Sequence, residues 1–194
     1  GQYGHVVMAI EPRNPGDGFE FVNQVVGGRI PSEYIPSVEK GIIQALESGP
    51  FAGYPVVDMK VILTDGSYHE VDSSDFAFQI AGRQGFKELF MKGNPELLEP
   101  VMSIEVTTPD EFMGAVNGTI CQRRGRIDSM DERGGMKIVK GMVPLSEMFG
   151  YSNTIRSLTQ GRASFTMHFE HYEAVPFSIA EEVVEKRRKE GKIK

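Results

Sequence analysis

The second half of the sequence repeats strand-like and helix-like segments in one fixed order. Apolar residues recur at every second position around 102–106 and 165–169, and more loosely around 126–130 and 136–143, as in β-strands. Segments with the three- and four-residue spacing of a buried helix face follow the strand at 102–106 and the strand at 136–143. The order is therefore strand, helix, strand, strand, helix, strand. Such a chain buries both helices most simply on one face of one sheet.

That order is typical of the ferredoxin-like, split βαβ fold, which leaves the second face of the sheet open to a partner. The first helix of this half has a capping box at residues 108–111, with Pro109 at its first position. Gly161 ends the second helix of this half. Beyond Pro176, residues 181–192 predict a charged C-terminal helix. Its basic residues 186–189 lie between Glu185 and Glu190, which favours a solvated face.

The first half of the chain has its own strand and helix pattern. Alternating residues near 6–10 and 19–21 predict two strands joined as a hairpin, residues 35–46 predict a helix, and residues 57–63 predict a third strand. Ser73 or Ser74 is placed to cap a second, longer helix. Gly93, Asn94 and Pro95 then interrupt both patterns. We therefore expect an α+β protein of two domains, residues 1–94 and 95–194.

A polar loop follows the third strand of the first half. Asp65 and Gly66 form a turn dipeptide, so the loop is predicted to start there and to project Ser67–Glu70 beyond the core. Its serine, histidine and aspartate residues also suggest a hydrolase site of nucleophile, base and orienting acid. The absence of a nucleophile elbow in the sequence argues against that alternative. A turn followed by a capped helix already accounts for these residue types.

Charge and composition limit the other functions of the chain. Its net charge is -6 and its pI about 5.3, so any contact with nucleic acid is expected to be local. Arg123, Arg124 and Arg126 form one such basic cluster, although cations at a helix C-terminus are also favoured by the helix dipole. The sequence contains no phosphate-binding loop with the spacing GxxxxGK[ST] and no paired cysteine and histidine spacing for a metal.

Apolar runs, cysteine content and the first residue of the chain give expectations about its cellular compartment and about the protein it belongs to. No apolar run in the sequence reaches the roughly 18 residues needed to cross a bilayer, and no signal peptide is apparent. The single cysteine, Cys121, fits a reducing cytoplasm. The chain opens at Gly1 and not at a methionine, so we expect it to be a piece of a longer protein.

Several long, irregular segments resemble elongation factor G of bacterial translation. In the first half these are residues 1–6, 27–36, 52–58 and 66–74. In the second half they are residues 98–100, 123–125, 143–151 and 156–162. The resemblance covers essentially the whole chain and identifies it as the C-terminal part of such a factor, domains IV and V.

The resemblance implies a fold for each domain and a role for each loop. It implies a ribosomal protein S5-like α/β domain at 1–94 with its first strand missing, followed by a ferredoxin-like βαββαβ domain at 95–194. The RNA- and tRNA-contacting tip loops are then expected at the following residues: Gly1, Gln2, Tyr3, Ser67, Tyr68, His69 and Glu70. Arg123, Arg124 and Arg126 are candidates for contact with ribosomal RNA.

The same resemblance implies that the chain promotes GTP-dependent translocation of tRNA and mRNA through the ribosome. The expected partners are the small-subunit decoding region, large-subunit rRNA, tRNA and mRNA, for a cytoplasmic monomer. GTP and magnesium are expected in a domain outside this chain, which itself is expected to hold no cofactor, metal or catalytic site. Two alternatives stay open: a paralogue specialised for ribosome recycling or protection, and a stand-alone ligand-binding module.

Overall fold

In the computed structural model, which describes residues 2–194, a central strand organises the first half of the chain. Strand β3 (Met59–Ser67) pairs antiparallel with β1 (His5–Pro12) and parallel with β2 (Glu20–Asn23), giving the sheet order β1-β3-β2. The predicted hairpin of the first two strands is therefore wrong, because each pairs with β3 and not with the other. Val61 and Leu63 of β3 are completely buried, as expected for the middle of a sheet.

Two helices pack closely beside this sheet. Helix α1 (Ile35–Glu47) buries Val38 and Ile42, and helix α2 (Asp75–Lys92) buries Phe78 and Phe86. The backbones come so near that a Cβ atom on Gly41 would lie 1.9 Å from the carbonyl oxygen of Gln79. Glycine is required there by space and not by backbone conformation.

The predicted turn at Asp65 and Gly66 is wrong, because both residues lie within β3. Gly66 stands opposite Val6 of β1, and a Cβ atom on it would lie 2.3 Å from the backbone oxygen of His5. The carboxylate of Asp65 accepts a hydrogen bond from Arg29 at 3.0 Å. Hydrogen bonding to the Gly66 backbone and to Arg29 lowers the pKa of Asp65. The loop therefore begins at Tyr68, three residues after Asp65, where the sequence suggests that it starts.

The second half forms the expected ferredoxin-like sheet. Its strands are β4 (Leu98–Thr108), β5 (Arg126–Arg133), β6 (Met136–Pro144) and β7 (Ser164–Ala174). They pair antiparallel in the order β5-β6-β4-β7. Helices α3 (Met113–Gln122) and α4 (Tyr151–Leu158) complete the unit. The predicted βαββαβ order and the α+β fold class are confirmed.

Each half has its own core. The second core joins β4 and β6 to both helices, with Val106, Val116, Val139 and Ile155 among its buried residues. The phenol ring of Tyr151 is buried edge-on against Phe165, with ring centroids 5.0 Å apart. Burial raises the pKa of Tyr151, and a hydrogen bond with Thr119 opposes that shift.

The contacts of the chain separate into two compact units. One contains the residues up to Glu96 and also Pro176–Lys194, and the other is Leu97–Val175. The C-terminal helix α5 (Phe177–Lys189) thus groups with the first unit, whereas the sequence division placed it with the second domain. In the part of the chain from residue 2 onward, no helix combines the length and apolar character needed to span a membrane.

Candidate functional site

Two chain segments meet at one end of the first sheet. Because β1 and β3 run antiparallel with His5 opposite Ser67, the residues before β1 and after β3 emerge at the same end. The first segment contains Gln2, Tyr3 and Gly4, and the second is residues 68–74. We call these two segments together the tip.

An aromatic stack joins the two segments of the tip. The rings of Tyr3 and His69 lie parallel, with centroids 3.8 Å apart and an angle of 3° between their planes. The Tyr3 hydroxyl also shares a hydrogen bond with the hydroxyl of Ser67 at 2.7 Å. His5 Nδ1 lies 3.0 Å from the same Ser67 oxygen. Ser67 is therefore fixed between two residues from the start of the chain.

The Ser73 hydroxyl links backbone groups of the two segments. Its hydroxyl donates to the carbonyl oxygen of Tyr3 at 2.8 Å and accepts from the backbone N–H of His69 at 2.9 Å. The N–H of Tyr3 donates to the carbonyl of Asp72 at 2.8 Å. These bonds close the loop on itself and onto the first segment.

Helix α2 begins at the base of the tip. The Ser74 hydroxyl accepts from the N–H of Ala77 at 3.1 Å, so Ser74 is the N-cap of the helix. It also donates to the side-chain oxygen of Gln2 at 2.6 Å. The sequence left Ser73 and Ser74 as equal choices for the cap. The structure divides their roles between a link and a cap.

The outer surface of the tip carries mixed polar and apolar side chains. The His69 side chain is 57% exposed, and its Nδ1 lies 3.7 Å from a carboxylate oxygen of Asp72. Tyr68 and Glu70 are exposed beside it, and Val71 is 92% exposed. Such side chains on a braced loop suit contact with a large partner through hydrogen bonding and stacking.

The geometry does not support the hydrolase alternative. Among residues 2–194, the hydroxyls of Ser67 and Ser73 bond to the groups described above, and neither bonds to the ring of His69. Within the same residues, no group of three or more histidine, cysteine, aspartate or glutamate side chains is arranged to hold a metal ion.

The arginine cluster of the second unit is held largely by internal contacts. The Arg123 guanidinium donates to the carbonyl oxygens of Glu147 and Phe149, at 2.5 Å and 3.1 Å, and lies 5.0 Å from the centre of the Tyr151 ring. It therefore ties the end of α3 to the turn that precedes α4. This role is structural, whatever else the residue contacts.

Arg124 and Arg126 differ in their surroundings. Arg124 pairs with both oxygens of the nearly buried Glu99, at 2.8 Å and 3.0 Å, and with Glu147 at 2.8 Å. The hydrogen bond with Glu99 is the main cause that raises the pKa of Arg124. Arg126 has a 62% exposed side chain, which pairs with Asp128 at 3.2 Å. Of the three arginines, Arg126 presents its charge most openly.

A groove on the second unit bears on the ligand-binding alternative. It measures about 270 Å3 and is lined by Ser152, Ile155, Arg156, Gly161, Ala163, Ser164 and Phe165. Its polar side chains, Ser152, Arg156 and Ser164, are all exposed. A small-molecule site usually surrounds its ligand with buried apolar walls and a few convergent polar groups. This groove lacks that arrangement.

The structure brings most of the residues predicted from the sequence to one place. Gln2, Tyr3, Ser67, Tyr68 and His69 all lie at the tip or at its base, together with Glu70, whereas Gly1 lies outside the described residues. Sequence reasoning missed the linking roles of Asp72 and Ser73. No local signal could have shown them, since Ser73 and its partner Tyr3 are 70 positions apart.

Comparison with known proteins covers both units. Residues 1–94 match the family model described as "Elongation factor G, domain IV", and residues 96–183 match that of the "Elongation factor G C-terminus". A crystal structure of a Thermus thermophilus protein is 40% identical to this chain and superposes with a TM-score of 0.83. The match covers 97% of this chain and 28% of the solved one, so the chain spans little more than a quarter of that relative's length.

Proposed function

We propose, from the premise that this chain belongs to the elongation factor G family, that its tip enters the decoding region of the small ribosomal subunit during translocation. Both matched models describe parts of a translation factor, and they account for nearly all of the chain. The observation that carries the proposal is the tip itself. An interlocked scaffold there presents exposed His69, Tyr68 and Glu70 at one end of a sheet.

The proposed mechanism is mechanical. Exposed side chains and backbone amides of the tip contact tRNA and mRNA, where bases, riboses and phosphates offer both stacking surfaces and hydrogen-bonding groups. Binding and hydrolysis of GTP, with magnesium, take place in another domain of the full-length cytoplasmic factor. The tip converts the resulting movement of the factor into displacement of its RNA partners.

In the second unit, we propose that Arg126 is the member of the cluster that faces ribosomal RNA. Arg123 and Arg124 are committed to Glu147, Glu99 and the turn before α4. In the full-length factor, Arg126→Ala should lower the salt dependence of ribosome binding by about one unit of slope, the effect of losing one phosphate contact. An unchanged slope would limit Arg126 to its contact with Asp128.

The test of the tip is His69→Ala in a full-length factor that carries this chain. An exposed side chain usually changes stability by less than about 0.5 kcal/mol, whereas a contact made during translocation is worth about 1–3 kcal/mol. Single-turnover translocation should therefore slow by roughly ten-fold, with melting and GTP hydrolysis unchanged. The matched control is His168→Ala, which removes another exposed histidine, on β7.

The same variants separate translocation from ribosome recycling. If the factor belongs to a recycling paralogue, His69→Ala should slow subunit splitting and the parent protein should translocate poorly. A normal rate in both assays would remove His69 from the mechanism. A large fall in melting temperature would instead make His69 structural.

A further inference from the structure

Tyr3 contacts the end of β3 and the loop that follows it at four different residues. Its ring stacks on His69 and its hydroxyl bonds to Ser67, while its N–H donates to Asp72 and its carbonyl accepts from Ser73. Tyr3 itself is partly buried. A single residue thus holds the second segment through its ring and its backbone, and the last residue of β3 through its hydroxyl.

The stack fixes a side chain that would otherwise be mobile. His69 lies in a loop and is more than half exposed, so on its own it would sample several side-chain rotamers. Contact at 3.8 Å with an angle of 3° covers one face of the imidazole and sets its plane. A carboxylate oxygen of Asp72 lies 3.7 Å from Nδ1 of the ring. The exposed part of the His69 side chain is accessible to a partner.

We propose that Tyr3 is a positioning residue, which orients the His69 ring and joins both segments before the tip meets its partner. This inference rests on the proposed function of His69. Orienting a contact group in advance removes the entropic cost of ordering it when the partner binds. Tyr3 therefore acts through His69 and need not contact RNA itself.

Nuclear magnetic resonance of the 194-residue chain tests the geometry without the ribosome. The ring protons of His69 should be shifted by the stacked phenol, and Tyr3→Ala should move them towards the positions of a free histidine. Tyr3→Phe keeps the ring and loses the hydroxyl, so it should leave them nearly in place. Ser67→Ala is the matched control, because it removes the same hydrogen bond from the other side. Unchanged His69 resonances in Tyr3→Ala would overturn the proposal.

Translocation by the full-length factor tests the consequence. Tyr3→Ala should slow single-turnover translocation about three- to ten-fold, as expected for the loss of one aromatic stack, and Tyr3→Phe should restore most of the rate. The double variant of Tyr3→Ala and His69→Ala should be no slower than His69→Ala alone, because Tyr3 acts through that ring. Additive losses, or a normal rate for Tyr3→Ala, would overturn the proposal.

The two experiments distinguish the inference from the proposed function. If His69→Ala translocates normally, the proposed function fails, and the resonance data alone decide whether Tyr3 orients the ring. If His69→Ala is slow and the resonances ignore Tyr3→Ala, the function stands and Tyr3 has no positioning role. Melting curves of every variant identify any loss caused by unfolding.

Discussion

At the scale of single residues, two carboxylates beside His171 make the contribution of this residue to stability depend on pH. Its ring nitrogens bond to the carboxylates of Glu173, at 2.6 Å, and Glu170. These hydrogen bonds, that of Glu173 first, raise the pKa of His171 above its ordinary value of 6.5. Because the folded-state pKa is raised, the stabilisation is present below the unfolded value. It is lost as the pH rises through the folded value.

We therefore expect Glu173→Gln to lower the pKa of His171, as measured by titration of its ring resonances. Glu132→Gln is the control, because Glu132 also occupies an exposed ion pair, with Lys137, and does not touch His171. If the titration midpoint of His171 is the same in Glu173→Gln and in the parent chain, Glu173 does not raise the pKa of His171.

Arg124 supports a second prediction at the residue scale. Arg124→Ala leaves Glu99, whose side chain is 11% exposed, without its bidentate partner. Breaking a buried pair costs about 3–5 kcal/mol, and the 26% exposure of the Arg124 side chain reduces that to about 1–3 kcal/mol. Arg126→Ala removes only an exposed pair and should change stability by less than about 0.5 kcal/mol.

Urea unfolding followed by circular dichroism measures both arginine variants, since the chain contains no tryptophan. Equal midpoints for Arg124→Ala and Arg126→Ala would show that solvent reaches Glu99 and compensates for the lost partner. Comparison of the two variants tests which arginines of the cluster stabilise the fold.

At the scale of elements, the crossing of α1 and α2 depends on glycine. A Cβ atom on Gly41 would lie 1.9 Å from the Gln79 oxygen, and one on Gly82 would lie 2.4 Å from the Val38 oxygen. Alanine gains up to about 1 kcal/mol over glycine in a helix, but forcing these backbones apart should outweigh that gain. We expect Gly41→Ala to destabilise the first unit by about 1–3 kcal/mol.

Gly118→Ala is the control for this crossing. Gly118 lies within α3 and an added Cβ would meet nothing within 4 Å, so the substitution should stabilise its helix. Residue-by-residue hydrogen exchange measures both effects, each in its own unit. A stabilising Gly41→Ala would show that the helices separate without loss.

The elements also show how far local pattern predicts this fold. The order of the second unit was predictable because strand and helix periods are local properties of residues 102–169. The extent of β3 was not predictable, because Asp65 and Gly66 form a turn signal in isolation. Their strand conformation depends on β1, whose His5 pairs with Ser67. Non-local pairing overrode a local preference.

In the candidate site too, local features could be predicted from the sequence and non-local contacts could not. The exposure of His69 could be predicted from the polar loop around it. The stack with Tyr3 could not, since it joins residues that only the pairing of β1 with β3 brings together. Arg123 and Arg124 appeared as a basic patch in the sequence because their acidic and carbonyl partners lie far along the chain, at Glu99 and Glu147.

At the scale of the whole molecule, the chain returns to its first unit through α5. The Arg187 side chain donates from Nε to the carbonyl of Ala52 at 3.0 Å, and its guanidinium lies 4.0 Å from the centre of the Tyr54 ring. The sequence predicted a solvated basic face for residues 186–189. The structure instead gives Arg187 a specific partner 135 positions away.

Arg188 is the matched control for this contact. Both arginines lie in the last turn of α5, so each interacts favourably with the helix dipole, and alanine removes that contribution equally from either position. Among residues 2–194, the Arg188 side chain bonds only to Glu185 on the same exposed helix surface, at 2.8 Å. The difference between the two variants therefore isolates the contact with Ala52 and Tyr54.

We expect Arg187→Ala to loosen α5 and Arg188→Ala to leave it nearly unchanged. A hydrogen bond and a cation–π contact together should contribute about 1–2 kcal/mol, which corresponds to about five- to thirty-fold faster amide exchange in the helix. Exchange in β4 and β6, which belong to the other unit, should stay constant and serves as the internal reference. Equal exchange in the two arginine variants would mean that the apolar face of α5, around Ala180, holds the helix in place without Arg187.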